Sequence, residues 1–473
     1  MMGLRDFRYF LLLATVFFVS SQVSHARSEA WRPLPESVRG YFSNQVRYRS
    51  NPQYYRAEFR RPSFAAGGGK STLPRYVYSS SLSPWKAFAS KEHELCWFTI
   101  VSGGECNADV PQVPSEFFIG RGENDVDLIS YGRLLSQSLG MRRARDEMVD
   151  WLGRMDDSDG LVEKRFERAV SQKNYIPSDS LLRLKSRLRN RISVLVVLGY
   201  NHHRGDDLKV FEAAASAVRA DGIRARLLEI SPVKSSQHNA YLIFQQTKLA
   251  LKNSDKIIFV GASKGVRDIL TMLAEYGSYF TPAEKQSLEL IVSLSGVVRY
   301  SFVGNFINQS KRLSAAILKG ILEKFVLPSD DKDLSGLESL SVDIGEQYGW
   351  GFLSQFPNLN FLTAVSIPSG DNGFPPVPRI VRMANQWSYG YHRSVGPHDG
   401  MVEVSGSLLP STVPVDQIVL RTYGQHSFLE NKFLSGLTLS GLKKLKSDSD
   451  RKKGAADMLE ALLRSLPKSL VGF

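Results

Sequence analysis

From residue 191 onward, short apolar runs alternate with amphipathic stretches. Residues 193–200 (SVLVVLGY), 224–230, 256–260, 288–298 (LELIVSLSGVV), 358–367 (NLNFLTAVSI) and 417–422 (QIVLRT) read as strands, while 206–221 and 239–252 read as helices. Several of these strand candidates are continuously apolar rather than alternating, the pattern of strands covered on both faces. Strands joined through helices predict a parallel sheet with helices on both sides, because each parallel crossover needs a covering element. Upstream, residues 125–155 carry apolar positions at helical spacing (Leu128, Ile129, Leu134, Leu135, Leu139, Met148, Trp151, Leu152), and 181–188 predicts one more helix. Downstream, a helix over 455–464 is expected to cover the sheet.

One stretch of this alternation carries chemistry. Residues 255–277 (DKIIFVGASKGVRDILTMLAEYG) predict strand, tight turn and helix, with Val266, Ile269, Leu270 and Leu273 on the helix face turned to the sheet. The turn is Gly261-Ala262-Ser263-Lys264-Gly265, a G-x-S-x-G pattern whose glycines let the backbone bend sharply beside close neighbours and leave Ser263 exposed at the tip. Sites in such sheets lie at the carboxyl ends of strands. Ser263 is at such an end.

Composition narrows the setting. Residues 1–26 place Arg5 and Arg8 before an apolar run over 10–19 and end on Ser24-His25-Ala26, the pattern of a signal peptide cleaved after Ala26; an uncleaved anchor is the alternative. A secreted or periplasmic product is expected. The chain holds 60 Lys plus Arg against 47 Asp plus Glu, a net charge of +13. In an exported protein that balance points to an anionic envelope surface (lipid, polysaccharide or cell surface) before nucleic acid. The positive charge is dense over residues 27–75, where arginines interleave with Tyr and Phe; an irregular basic arm or flap docking on an anionic surface is expected there, with a solvated, loosely packed leader to the fold as the alternative. Cys96 and Cys106 are the only cysteines; they read either as a disulfide closing a small loop or as two buried thiols. No metal-ligand spacing, phosphate loop or dinucleotide fingerprint occurs, so no cofactor is expected.

The residues 191–429 resemble an α/β-hydrolase, in the style of the lipases and esterases. The resemblance is carried by Gly261-Ala262-Ser263-Lys264-Gly265, by Leu198-Gly199-Tyr200-Asn201-His202 after the first strand, by His398-Asp399-Gly400-Met401-Val402, and by Gly424-Gln425-His426-Ser427. These occur in the family's order of nucleophile, acid, histidine. It implies an α/β-hydrolase-like, mostly parallel sheet flanked by helices, over about 186–473, after an N-terminal region (27–185) that resembles no family.

A serine hydroxyl needs a base within reach, itself oriented by a carboxylate. His426, following the last strand, fits the base better than His202, His203, His392 or His398. Asp399 lies in the D-G-x-V stretch that carries the carboxylate in the resembling lipases, and Asp371 is the alternative acid. The oxyanion donors fall to the N–H groups of Lys264 and Tyr200, with Asn201 the alternative to Tyr200. The family is departed from at Tyr200-Asn201, where His-Gly is more usual, and at the charged Lys264. An insertion over 299–357 contains an apolar helical stretch, 313–327, read either as a lid lining an acyl groove or as a helix packed on the sheet edge. The expected activity is hydrolysis of carboxylic, lipid-like esters through an acyl-enzyme on Ser263; a catalytically silent binding domain, and a peptidase or acyltransferase with the same triad, are the alternatives.

Overall fold

The computed structural model describes residues 46–51, 54–59, 75–77, 86–88, part of 132–153, and then 155–172, 174–200, 206–302, 304, 335–368, 396–410, 413–424, 432–433 and 448–472. Its centre is a seven-stranded sheet. The strands are β5 (Ile192–Val197), β6 (Arg224–Leu227), β7 (Lys256–Ala262), β8 (Leu288–Leu294), β9 (Asn360–Pro368), β10 (Gln417–Gly424) and β11 (Lys432–Phe433), in the spatial order β6-β5-β7-β8-β9-β10-β11. All run parallel except β11, which pairs antiparallel to β10. The register brings the carboxyl ends to one edge: Val197 lies beside Gly261, Ala262 beside Leu294, and Pro368 beside Gly424. The helix-flanked parallel sheet expected from the alternation is the observed architecture.

Side-chain alternation along the strands divides the interior into two cores. Val194 and Val196, Ile258 and Val260, Leu290 and Val292, and Leu362 and Ala364 enter one. Leu195 and Val197, Ile257 and Phe259, Ile291 and Phe361 enter the other. Because both faces are covered, most positions on either face are apolar, which is why the strands read as near-continuous apolar runs; Ser193, Glu289, Ser293, Thr363 and Ser366 are buried polar exceptions. The first core is closed by α1 (Leu161–Ser171), α2 (Asp206–Ala220) and α6 (Asp448–Ser465), so the C-terminal helix does cover the sheet. The second is closed by α3 (Ser236–Leu251) and α4 (Lys264–Tyr276), with Ile344 of the one-turn α5 (Ile344–Tyr348), Phe352 and Phe356 packed outside them. Burying such a side chain is worth about 1.5–3 kcal/mol, and each core holds more than twenty.

Residues 335–357, part of the expected insertion, are built into this second core. The guanidinium of Arg267 on α4, 1% exposed, donates to the carbonyls of Arg299 and Val342 at 2.8 Å and to Gln347 Oε1 at 3.2 Å. Burial lowers its pKa to about 10. The stretch 313–327 lies outside the described residues.

Two expectations are corrected. The helix over 181–188 is a 3-10 turn, Leu181–Arg183, and a separate one-turn helix, Ser186–Arg189, broken where Leu184 and Lys185 are extended at ψ 149° and 143°. Tertiary bonds outweigh propensity there: Ser180 bridges Pro467 and the N–H of Leu181 donates to the carbonyl of Leu466. The basic stretch 27–75 is not irregular throughout. Within it β1 (Val46–Asn51) and β2 (Tyr54–Phe59) pair antiparallel, and β3 (Arg75–Val77) and β4 (Lys86–Phe88) extend the ribbon in the order β1-β2-β3-β4. Interleaved arginines and rings are a period-two pattern that suits β structure. Every described position in 132–153 is helical. Among the described residues, no helix is long and apolar enough to cross a membrane.

Candidate active site

Between β7 and α4 the chain reverses on one residue. Ser263 has φ 51° and ψ −122°, a conformation that disfavours any residue with a Cβ and costs on the order of 1–3 kcal/mol. Three backbone bonds hold it: Ser263 N–H donates to the carbonyl of Leu294 at 3.1 Å, and its own carbonyl accepts from Val297 at 3.0 Å and Val266 at 3.3 Å. The flanking glycines are required by space. A Cβ at Gly265 would stand 2.2 Å from the Val197 carbonyl oxygen at the end of β5, and one at Gly261 would stand 2.9 Å from the Val266 nitrogen. The elbow is therefore pressed directly against the ends of β5 and β8.

Lys264, the next residue, turns its side chain neither into the site nor into solvent. It is 1% exposed, and Nζ donates to both carboxylate oxygens of Asp268, one helical turn on, at 2.7 Å each. Asp268 is fully buried and also accepts from Asn239 Nδ2 of α3 at 2.7 Å. The Asn239 amide is in turn fixed by Ser231: Nδ2 donates to its carbonyl at 2.9 Å and Oδ1 accepts its N–H at 3.0 Å. Burial lowers the Lys264 pKa, and the Asp268 carboxylate opposes that shift.

The segment after β9 returns over the same edge. Val298 and Arg299, following β8, both donate to the Gly406 carbonyl, and Thr363 Oγ1 on β9 donates to the Ser407 carbonyl at 3.0 Å. Asp399, 2% exposed, lies in this loop; its Oδ1 accepts the N–H groups of Met401 at 3.0 Å and Val402 at 2.9 Å. The loop is pinned by Glu403, which accepts the Gly396 N–H at 2.9 Å and the Tyr300 hydroxyl, and by Ser301 Oγ donating to the Met401 carbonyl at 2.6 Å. His398, 1% exposed, accepts the Gly400 N–H on Nδ1 at 3.1 Å and meets the Phe302 ring edge-on at 4.9 Å. Burial pushes its pKa down to about 4, although Asp399 and Glu403 pull the other way. The ring is packed into the loop rather than standing free at its surface.

Of the residues singled out in the sequence, Ser263 is bonded to the β8 end at Leu294, Lys264 opens α4 beside it, Gly265 abuts the β5 end at Val197, and Tyr200 is half-buried in the turn that follows β5. Asp399 is held in the loop bonded to the segment after β8. His426, the alternative acid Asp371, Asn201, His202, His203, His392, Cys96, Cys106 and residues 1–26 lie outside the described residues. The roles of Asn239, Asp268, Tyr300 and Glu403 escaped the sequence reading. Only the Lys264/Asp268 spacing of four on a predicted helix carried a signal for a pair. The described residues contain no group of three or more His, Cys, Asp or Glu arranged to hold a metal ion.

No family model matches the chain, and no curated protein matches it. Solved structures do. A metagenomic carboxyl esterase is 17% identical, with 64% of this chain and 90% of that one aligned at a TM-score of 0.39. A Bacillus licheniformis lipase in its mature form is 16% identical over 50% of this chain and 84% of its own, at 0.34. A Legionella pneumophila phospholipase is 10% identical over 46% of this chain and 45% of its own, at 0.31. The strand order, the elbow after β7 and the loop between β9 and β10 give this chain an α/β-hydrolase-like fold.

Proposed function

We propose that the chain is a serine hydrolase that cleaves carboxylic esters, lipid-like in character, through an acyl-enzyme on Ser263. The observation that carries this reading is the backbone of Ser263, held at φ 51° in a tight turn at the carboxyl edge of the sheet, with glycines where a Cβ would collide. Strain of this kind, kept by the surrounding structure, marks sites where a side chain must stand at a fixed angle. His426, two residues past the end of β10, is the base, and Asp399 is the carboxylate that orients it. The histidine takes the Ser263 proton as Oγ attacks the ester carbonyl carbon. The carbonyl oxygen becomes an oxyanion and is stabilised by the N–H groups of Lys264 and Tyr200. Collapse expels the alcohol, which receives the proton from His426. Water then attacks the acyl-enzyme with the same histidine as base, releasing the carboxylic acid and regenerating Ser263. In the same reading residues 1–26 are an export leader, removed from the mature protein.

Labelling with a fluorophosphonate, followed by intact mass, tests the nucleophile. One adduct on the folded chain and none on Ser263→Ala is the expected result; equal labelling of both would overturn it. A panel of aryl esters of increasing acyl length, phospholipids and peptides then separates ester hydrolysis from peptidase or acyl-transfer chemistry.

A further inference from the structure

We propose that Lys264, Asp268 and Asn239 form a buried clamp that positions the oxyanion donor, so that the Lys264 side chain acts by fixing the direction of its own backbone N–H. This rests on the serine-hydrolase reading given above. The first N–H groups of a helix have no partner within it and point out of its N-terminus. Lys264 is the first residue of α4, directly after the nucleophile, so its N–H faces the site. The orientation of that peptide follows from the backbone of Ser263 and Lys264, and Ser263 is already in a strained conformation. A strained turn needs an external reference to stay in place.

The clamp supplies that reference. Lys264 Nζ is held at 2.7 Å by both oxygens of Asp268. Asp268 is held by Asn239 of α3, and Asn239 by both backbone groups of Ser231, in the segment after β6. The elbow is thereby tied to its own helix, to the neighbouring helix and to a loop beyond them. Stability is a poor explanation for such an arrangement, since buried ion pairs replaced by apolar residues of similar volume are often neutral or stabilising. The pair also places little net field on the site, because the two charges are adjacent. What it supplies is a fixed geometry, and displacement of a catalytic group by about 1 Å costs on the order of 100-fold in rate.

The test uses the full-length protein and three variants: Lys264→Met, Asp268→Leu and the double Lys264→Met/Asp268→Leu. The readouts are kcat and KM on an aryl ester, and the affinity of a trifluoromethyl ketone, which forms a tetrahedral oxyanion on the serine. The clamp predicts that all three lose on the order of 10- to 100-fold in kcat with KM nearly unchanged, and that ketone affinity falls by a similar factor. A purely electrostatic role predicts opposite signs for the two single variants, since one leaves a buried negative charge behind the oxyanion and the other a positive one; that result overturns the proposal. A purely structural role predicts that the double variant, free of unpaired charge, recovers wild-type kcat and ketone affinity, which also overturns it. If a single variant does not fold, the double variant decides alone. Absence of any Ser263-dependent fluorophosphonate adduct on the wild type would instead sink the hydrolase reading itself, a failure distinct from wild-type labelling accompanied by an unimpaired double variant.

Discussion

At Ser263 two backbone effects oppose each other, and their sizes decide the outcome. Glycine would relieve a strain of about 1–3 kcal/mol at φ 51°, but it adds unfolded-state entropy worth about 0.4–1 kcal/mol. Ser263→Gly is therefore expected to be about 1 kcal/mol more stable than Ser263→Ala in urea unfolding; equal stabilities would mean the turn stores no strain. His398 supports a second prediction. Folded, its pKa is about 4; unfolded, it is the ordinary value near 6.5. The unfolded chain takes up this proton first as pH falls, so the stability contributed by the neutral ring is complete above about pH 6.5 and is lost on the way down to pH 4. Between pH 7 and pH 5 the loss should be about 2 kcal/mol. His398→Gln, which keeps an acceptor for the Gly400 N–H, should lose that much less than wild type over the same interval. Parallel loss in both proteins would remove His398 from the account. Ser263 was legible in the sequence because two glycines at fixed spacing announce the turn. The direction of the Lys264 side chain was not, because its partners on α3 become neighbours only through packing.

Strands were legible as elements because both faces of the sheet are covered, so β5, β7, β8 and β9 are apolar over most of their length. Their ends were less so. The apolar run 288–298 continues past β8 because Val297 and Val298 are buried after the strand has stopped at Leu294. What the pattern did not contain is the treatment of the outer side of β10 ahead of Thr422 and Tyr423, where β11 pairs with it. Alternate N–H groups there face away from β9, and carboxylates from the chain before residue 170 receive them: Gln417 donates to Asp157 Oδ2 at 2.7 Å, Val419 to Asp156 Oδ1 at 3.0 Å and Arg421 to Glu163 Oε1 at 3.3 Å. An open edge invites pairing with another chain, and these caps close it. Glu163 also holds the Arg421 guanidinium, with Nη2 to Oε2 at 2.6 Å. Its carboxyl pKa is raised by burial despite that partner. Glu163→Ala should cost about 2 kcal/mol in urea unfolding, from a lost edge cap and a half-buried arginine left unpaired. A loss below about 0.5 kcal/mol, the size usual for a surface position, would show that the edge needs no cap.

For the molecule as a whole, these caps join a larger dependence. Val162 and Phe166 of α1, with Leu181 and Leu182 after it, lie in the same core as β5, β7 and α6, although they precede the first strand of the sheet. Sequence pattern alone puts the start of the sheet-bearing unit near residue 186, just before regular alternation begins at 191; contacts between α1 and strands more than 200 residues later leave no periodic trace. A chain beginning at Ser186 would keep every strand of the sheet and lose five side chains of this core, Ala169 and four larger ones each worth about 1.5–3 kcal/mol. The total, about 6–12 kcal/mol before the edge caps are counted, matches the 5–15 kcal/mol that holds an ordinary domain together. Such a chain should therefore show no cooperative urea transition and be cleaved throughout by trypsin, whereas a chain beginning near residue 130, which retains α1 and the three carboxylates, should unfold with a midpoint close to that of the full protein. A cooperative transition at the same midpoint in the shorter chain would show that α1 rests on a core complete without it.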